Sequence, residues 1–328
     1  MMQEAKKDVQ VAHPWVADGL RKVRVGVTFL DSCADWAQYH DCVQLAEGLG
    51  FDSIWVSDHP MLGVDCWTAL AALAVTTHSI RLGSLVSCIL YRNPLLLARL
   101  AADVDRLSNG RLILGLGIGD LPFEFAQLGL PFPSTRERQE ALEEAVQVVK
   151  GVWGTAPFTS KEKYAQVQQV HLPFGPVQQP HVPLLIGGGG ERVTLHQVAQ
   201  YADASNFGAH AFTGGASRIE DVVRKRNVLL AHCETLERPA NSILRTYLTL
   251  PLILGETSST IAAKQEIIPA DQREWYQSSI VAVTPHEAIA YYNALVQAGI
   301  QYFIIGIYLH DMETLQLFHQ HVVPTLVY

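Results

Sequence analysis

The chain has 328 residues, 48% of them hydrophobic and 17% charged, enough to bury a large core as two ordinary domains or as one α/β barrel. A formal charge of -8 and a pI near 5.9 weigh against nucleic acid or an anionic membrane surface as the main partner. No run approaches the ~20 apolar residues needed to span a bilayer.

Residues 1–22 read as an N-terminal extension, with no apolar segment of signal-peptide length. The five cysteines (Cys33, Cys42, Cys66, Cys88 and Cys233) are odd in number and form no Cys-x-x-Cys pair. That usage fits reduced thiols and a cytoplasmic location. From residue 23 onward, apolar runs at 23–29, 53–56, 81–87, 112–115, 183–186, 204–207, 242–254 and 302–306 predict short buried strands. Most are continuous rather than alternating, as expected where helices cover one face and a barrel interior the other.

Helical patterns separate the strands. Residues 94–107 put Leu96, Leu97, Leu100, Ala101, Val104 and Leu107 on one face and stop at Asn109-Gly110, a good C-cap. Ser134 with Glu137, and Thr284 with Glu287, are capping boxes that open two further helices. The β-α alternation predicts a (β/α)8 barrel in one domain spanning 23–328, with an open doubly wound sheet as the rival. Residues 154–180 and 255–277 fall outside the repeat and are expected to overhang the active-site face.

The chemistry lies where strands end. The second closes with Ser57, Asp58 and His59, an aspartate and a histidine released together where barrels bind ligands. The third runs into Ser87, Cys88, Tyr91, Arg92 and Asn93, of which Asn93 is the natural N-cap of the next helix. After the fourth come Gly115, Gly117 and Gly119, then Asp120 and Glu124, carboxylates that could equally be solvated. Pro122 breaks any dinucleotide-fingerprint reading there, since it interrupts the helix that fingerprint needs.

After the fifth strand, Gly187, Gly188, Gly189, Gly190 and Glu191 lead into a helix expected over 191–202. Closely approachable backbone N–H groups at a helix start make a phosphate grip without need of a lysine. None of the eight lysines ends a predicted strand, which weighs against Schiff-base chemistry. The first strand has no His-x-His for a metal-dependent hydrolase, and no Gly-x-Ser-x-Gly elbow is present.

From about residue 23 to the C-terminus the chain resembles the bacterial-luciferase-like flavin-dependent oxidoreductases, particularly the branch that uses the deazaflavin coenzyme F420. The resemblance rests on the block from Arg92-Asn93-Pro94 through Asp105-Arg106-Leu107 to Gly119, on Ile186 to Gly190 with Tyr201 to Ala204, and on Ala298 to Phe303. It implies a ring bound at the barrel mouth, its phosphate side chain held by backbone at Gly188, Gly189 and Gly190. It also implies a non-proline cis peptide near Leu85–Val86, a backstop behind the ring beside Ser87.

His59 matches the family histidine that faces the reacting centre, and Asp120 occupies the place of the acid in the sugar-phosphate dehydrogenases of this branch. The tryptophan that follows their histidine is replaced here by Gly63, which puts that substrate in doubt. The resulting expectation is hydride transfer with coenzyme F420 on a small organic substrate. The alternatives are an FMN-dependent monooxygenase using O2 and a reductase partner, and a barrel that binds flavin without turnover. A homodimer is expected from the relatives.

Overall fold

The computed structural model describes residues 12–30 and 35–328; Cys33 and the first eleven residues of the extension lie outside them. Among the described residues, eight parallel strands form one sheet that closes on itself. They are β1 (Arg24–Phe29), β2 (Ser53–Val56), β3 (Arg81–Ser84), β4 (Leu112–Gly117), β5 (Leu184–Gly187), β6 (Ala204–Gly208), β7 (Leu244–Thr249) and β8 (Tyr302–Ile307). Each pairs with its neighbours in chain order, and β1 pairs with β8. The pairing of β3 with β4, Leu82 opposite Leu112, completes the circle and rules out the open sheet.

Alternation divides the strand residues between two cores. Val25, Val27, Ile54, Leu82, Leu114, Ile186, Phe303 and Ile305 point out and pack under the helices. Trp55, Ile113, Leu185, Leu244, Tyr302 and Ile304 point in and fill the lumen. The Trp55 ring takes so much of that space that a Cβ at Gly26 or Gly83 would overlap it.

The predicted helix boundaries hold where caps were readable. Asn93 caps Pro94–Leu107 by accepting from the Leu95 amide, and both capping boxes close, on Thr135–Val152 and Pro285–Gln297. The long seventh run breaks at Leu250–Pro251, a cis bond, into β7 and a short strand Leu252–Leu254 that leaves the barrel to pair with Val281–Val283. Proline cannot donate to a ladder, so the continuous strand was not available.

The two excursions sit at opposite ends. Residues 255–277 form Ser258–Ile267 and Ala270–Tyr276 and follow β7 on the mouth side, as expected. Residues 154–180 precede a strand instead of following one, and this places them at the far end. There Phe158–Lys161 and Gln166–Val170 make a hairpin, and Gln178 hydrogen-bonds the carbonyl at the start of β4 and the buried Asp105. The expected overhang of the mouth is corrected accordingly.

The same far end is closed by Pro14–Gly19. Trp15 is fully buried against Tyr302, and Arg24 donates to the Trp15 carbonyl while pairing with Asp52. Among the described residues no helix is long and apolar enough to cross a membrane.

Candidate active site

Asp58, His59, Ser87, Asp120 and Glu124 all belong to segments that leave the carboxyl ends of β2, β3 and β4. Asp58 is buried and does not orient His59. Its Oδ2 accepts from Ser87 Oγ at 3.0 Å, from the Cys88 amide at 3.1 Å and from Arg92 at 2.6 Å. Arg92 also binds Asp65 at 2.7 Å, and Trp67 donates to Ser87. This buried ion pair ties the end of β2 to the segment after β3, so Asp58 is a brace for the site floor.

The partner of His59 is Glu124, one of the two carboxylates whose sequence position left it equally readable as solvated. It is fully buried, and its Oε2 lies 2.7 Å from His59 Nδ1. The same oxygen accepts from the Tyr91 hydroxyl at 3.1 Å, while Oε1 accepts from the Met61 amide at 3.3 Å. A carboxylate with three donors is fixed, and it fixes the imidazole so that Nε2 is the free nitrogen. Glu124 is delivered by Pro122–Gln127, a short helix that Pro122 begins rather than interrupts, because proline suits a first helical position.

Electrostatics follow from this geometry. Burial disfavours the imidazolium, but the Glu124 hydrogen bond and the charges of Asp120, Glu124 and Asp58 outweigh it, holding the His59 pKa above its usual value. Burial also works against the Glu124 carboxylate, yet its bonds from His59, Met61 and Tyr91 keep its pKa below the usual range. Asp120 moves the other way: burial, and then the charge of Glu124, raise its pKa against the pull of His59 and Arg138. Burial pushes the Cys88 thiol up to about 12, leaving it inert.

The peptide Leu85–Val86 is cis. Val86 stands over the lumen in a recess made by missing side chains: a Cβ at Gly117 would overlap Val86 Cγ2, and one at Gly187 would lie 3.1 Å from Cγ1. Gly119 takes φ +75° in a turn held from outside by Arg138, whose guanidinium donates to the Gly119 carbonyl and stacks on Phe132.

The glycine run lies beside β6. Gly188, at φ +114°, donates to the Asn206 carbonyl, whereas the amides of Gly189, Gly190, Glu191 and Arg192 donate to no acceptor among the described residues. The helix begins at Thr194, three residues later than expected, because 191–193 form a turn. A lysine takes part after all. Buried Lys225, from the Arg224–Arg226 cluster on Ile219–Thr235, donates to the Gly189 carbonyl at 2.7 Å. Glu191 points away to pair with Arg224 at 2.9 Å. A cleft of about 610 Å³ opens from Gly190 toward Thr135 and Gln139.

Sequence spacing could not show Glu124, Tyr91 or Lys225 in these roles, since each acts on a residue 33 to 65 positions away. The only advance signal was the place of Tyr91 and Glu124 shortly after strand ends; Lys225, in the middle of a helix, gave none.

A family model described as luciferase-like monooxygenase matches residues 17–302. The F420-dependent glucose-6-phosphate dehydrogenase of Amycolatopsis mediterranei is 29% identical over 319 residues, covering 86% of this chain and 92% of its own. Among solved structures, the coenzyme F420-dependent tetrahydromethanopterin reductase of Methanopyrus kandleri superposes with a TM-score of 0.78 at 20% identity, over 93% of this chain and 100% of that one. An F420-dependent secondary alcohol dehydrogenase, solved with an F420–acetone adduct, gives 0.79 at 18% identity, over 94% and 100%. With a closed (β/α)8 barrel, strand ends that converge on His59, and a family match across most of its length, this chain belongs to the luciferase-like monooxygenase family.

Proposed function

We propose that the protein is an oxidoreductase that binds coenzyme F420 at the barrel mouth and transfers a hydride between it and a small organic substrate. The observation that carries this reading is the His59–Glu124 pair standing beside Asp120 at the strand ends. The F420-dependent relatives supply the choice of ring.

The residues present fit such a cofactor. The recess of Gly117 and Gly187 around Val86 offers a flat floor with no projecting side chain except the valine. The unengaged amides from Gly189 to Arg192 suit a phosphate, and Lys225 stiffens the run from behind. When bound, the ring would accept or give the hydride. His59 handles the proton at Nε2, Glu124 holds its tautomer, and Asp120 is the carboxyl best placed by its raised pKa to donate one. Leu85, Val86 and Ser87 back the ring, and Asp58 braces them through Ser87. A cytoplasmic homodimer served by a separate reductase belongs to the same reading.

Separate titrations with coenzyme F420 and with FMN, read by ring fluorescence, test it. The expected result is saturable F420 binding near micromolar concentration and weak FMN binding. FMN alone binding would make the protein an FMN-dependent monooxygenase instead; binding without any turnover would favour a carrier.

A further inference from the structure

Three nearly parallel rings stand on the mouth side of the barrel. Phe212, on the turn Ala211–Thr213 after β6, stacks on Trp275 of Ala270–Tyr276 at 4.8 Å and 18°. The imidazole of His210 stacks on Phe212 at 5.1 Å and on Trp275 at 5.6 Å. His210 is itself buried and pinned: its Nδ1 accepts from the Phe212 amide and its Nε2 donates to the Trp275 carbonyl at 2.9 Å. Phe212 and Trp275 nevertheless remain 45% and 47% exposed. Gly214, in the same turn, touches Gly189, so this tier adjoins the glycine run.

The rim beside His59 is apolar as well. Met61 and Leu62 follow His59, and Phe123 precedes Glu124; all three are exposed. The charges of the mouth are either acidic or already spent. Arg92 is held by Asp58 and Asp65, Lys264 by Asp311 at 2.6 Å and Glu313 at 2.9 Å, and Arg138 by the carbonyls of residues 118 and 119. Arg273, exposed on the insertion, has no acidic partner among the described residues. Exposed Arg192 likewise has no acidic partner among the described residues, but it lies on the glycine run proposed for the cofactor's phosphate. The His59 imidazolium is already paired with Glu124, so an anionic substrate beside Asp120 has Arg273 to hold it.

We infer that the substrate is a neutral molecule with a flat apolar body, gripped on the Phe212–Trp275 tier and the Met61–Leu62–Phe123 rim, and not a sugar phosphate. This rests on the ring-binding site proposed above. The body lies against aromatic faces, where stacking and burial supply affinity without charge. Its reacting carbon is presented toward His59. The rigid tautomer of His210 sets the spacing between the turn and the insertion.

The test uses calorimetric titration of F420-saturated protein with 1-(2-naphthyl)ethanol, a neutral bicyclic alcohol, and separately with glucose 6-phosphate. Saturable binding of the alcohol is expected, weakened about tenfold in F212A and in W275A but retained in W275F, with F420 affinity unchanged. R273A is expected to leave it untouched. Tighter binding of glucose 6-phosphate that is lost in R273A would overturn the inference, as would alcohol binding indifferent to both ring deletions. Dimer dissociation in the F212A/W275A double variant, with undiminished alcohol affinity, would assign the rings to a subunit contact and also overturn it. Failure of F420 itself to bind would strike the cofactor reading, a separately visible result.

Discussion

His59 stands between opposed influences, and their balance sets its pH behaviour. Its pKa is raised above the usual 6.5 while that of Glu124 is lowered below the usual 4.5. The charged pair is therefore present below the usual imidazole value and is lost as pH rises through the raised one. On the acid side it survives below 4.5 and is lost only as pH falls through the lowered carboxyl value. Replacing Glu124→Gln removes the nearest compensating charge and leaves the burial cost in place. The His59 titration should then move to lower pH. NMR titration of the imidazole would show this directly, and the His59-dependent limb of the hydride-transfer pH profile should move with it. A titration that stays in place would mean that Asp120 and Asp58, not Glu124, set the charge of His59.

At the scale of elements, the recess around Val86 makes a graded prediction. Gly117→Ala would drive a methyl into Val86 Cγ2, whereas Gly187→Ala adds one at 3.1 Å, which the valine can accommodate by a small shift. Cofactor affinity should fall steeply in the first variant and only slightly in the second, with both folded by circular dichroism. Equal losses would mean that the floor is not shaped by Val86.

Element boundaries were legible wherever a local signal fixed them. Asn93 with Pro94, Ser134 with Glu137 and Thr284 with Glu287 each mark a helix start by side-chain chemistry confined to four residues. Continuous apolar runs marked β4 and β8 because both faces of those strands are buried. Failures came where the deciding partner is distant or geometric. Residues 191–193 carry no capping side chain to show that the helix waits until Thr194. The side of the barrel taken by 154–180 depends on whether a segment precedes or follows a strand. His59 and the glycine run could be located as strand ends; that Glu124, rather than Asp58, would hold His59 depended on a contact between β2 and β4 loops.

The whole molecule is a vessel closed at one end. Trp15 is fully buried against Tyr302 at the start of β8, Arg24 lies over both rings, and Tyr302 bonds Ser53 and Asp52. Trp15→Ala should cost about 3–5 kcal/mol of stability in a urea melt, as for other buried large-to-small changes. The His59 titration should be unaffected, since among the described residues the two ends of the lumen share no hydrogen bond. The C-terminal tyrosine reaches the same end, where the Tyr328 hydroxyl donates to the Gly19 carbonyl.

Among the described residues the base is closed by Trp15 and Tyr302, which leaves the mouth as the way in, and traffic through one opening has an order. Whatever lies on the Val86 floor must arrive before whatever lies on the aromatic rim, and must leave after it. Steady-state kinetics should accordingly be ordered, with the ring first on and last off. Pre-filling the rim with the naphthyl alcohol should slow F420 loading in stopped-flow fluorescence, and an unchanged loading rate would point to a second entrance.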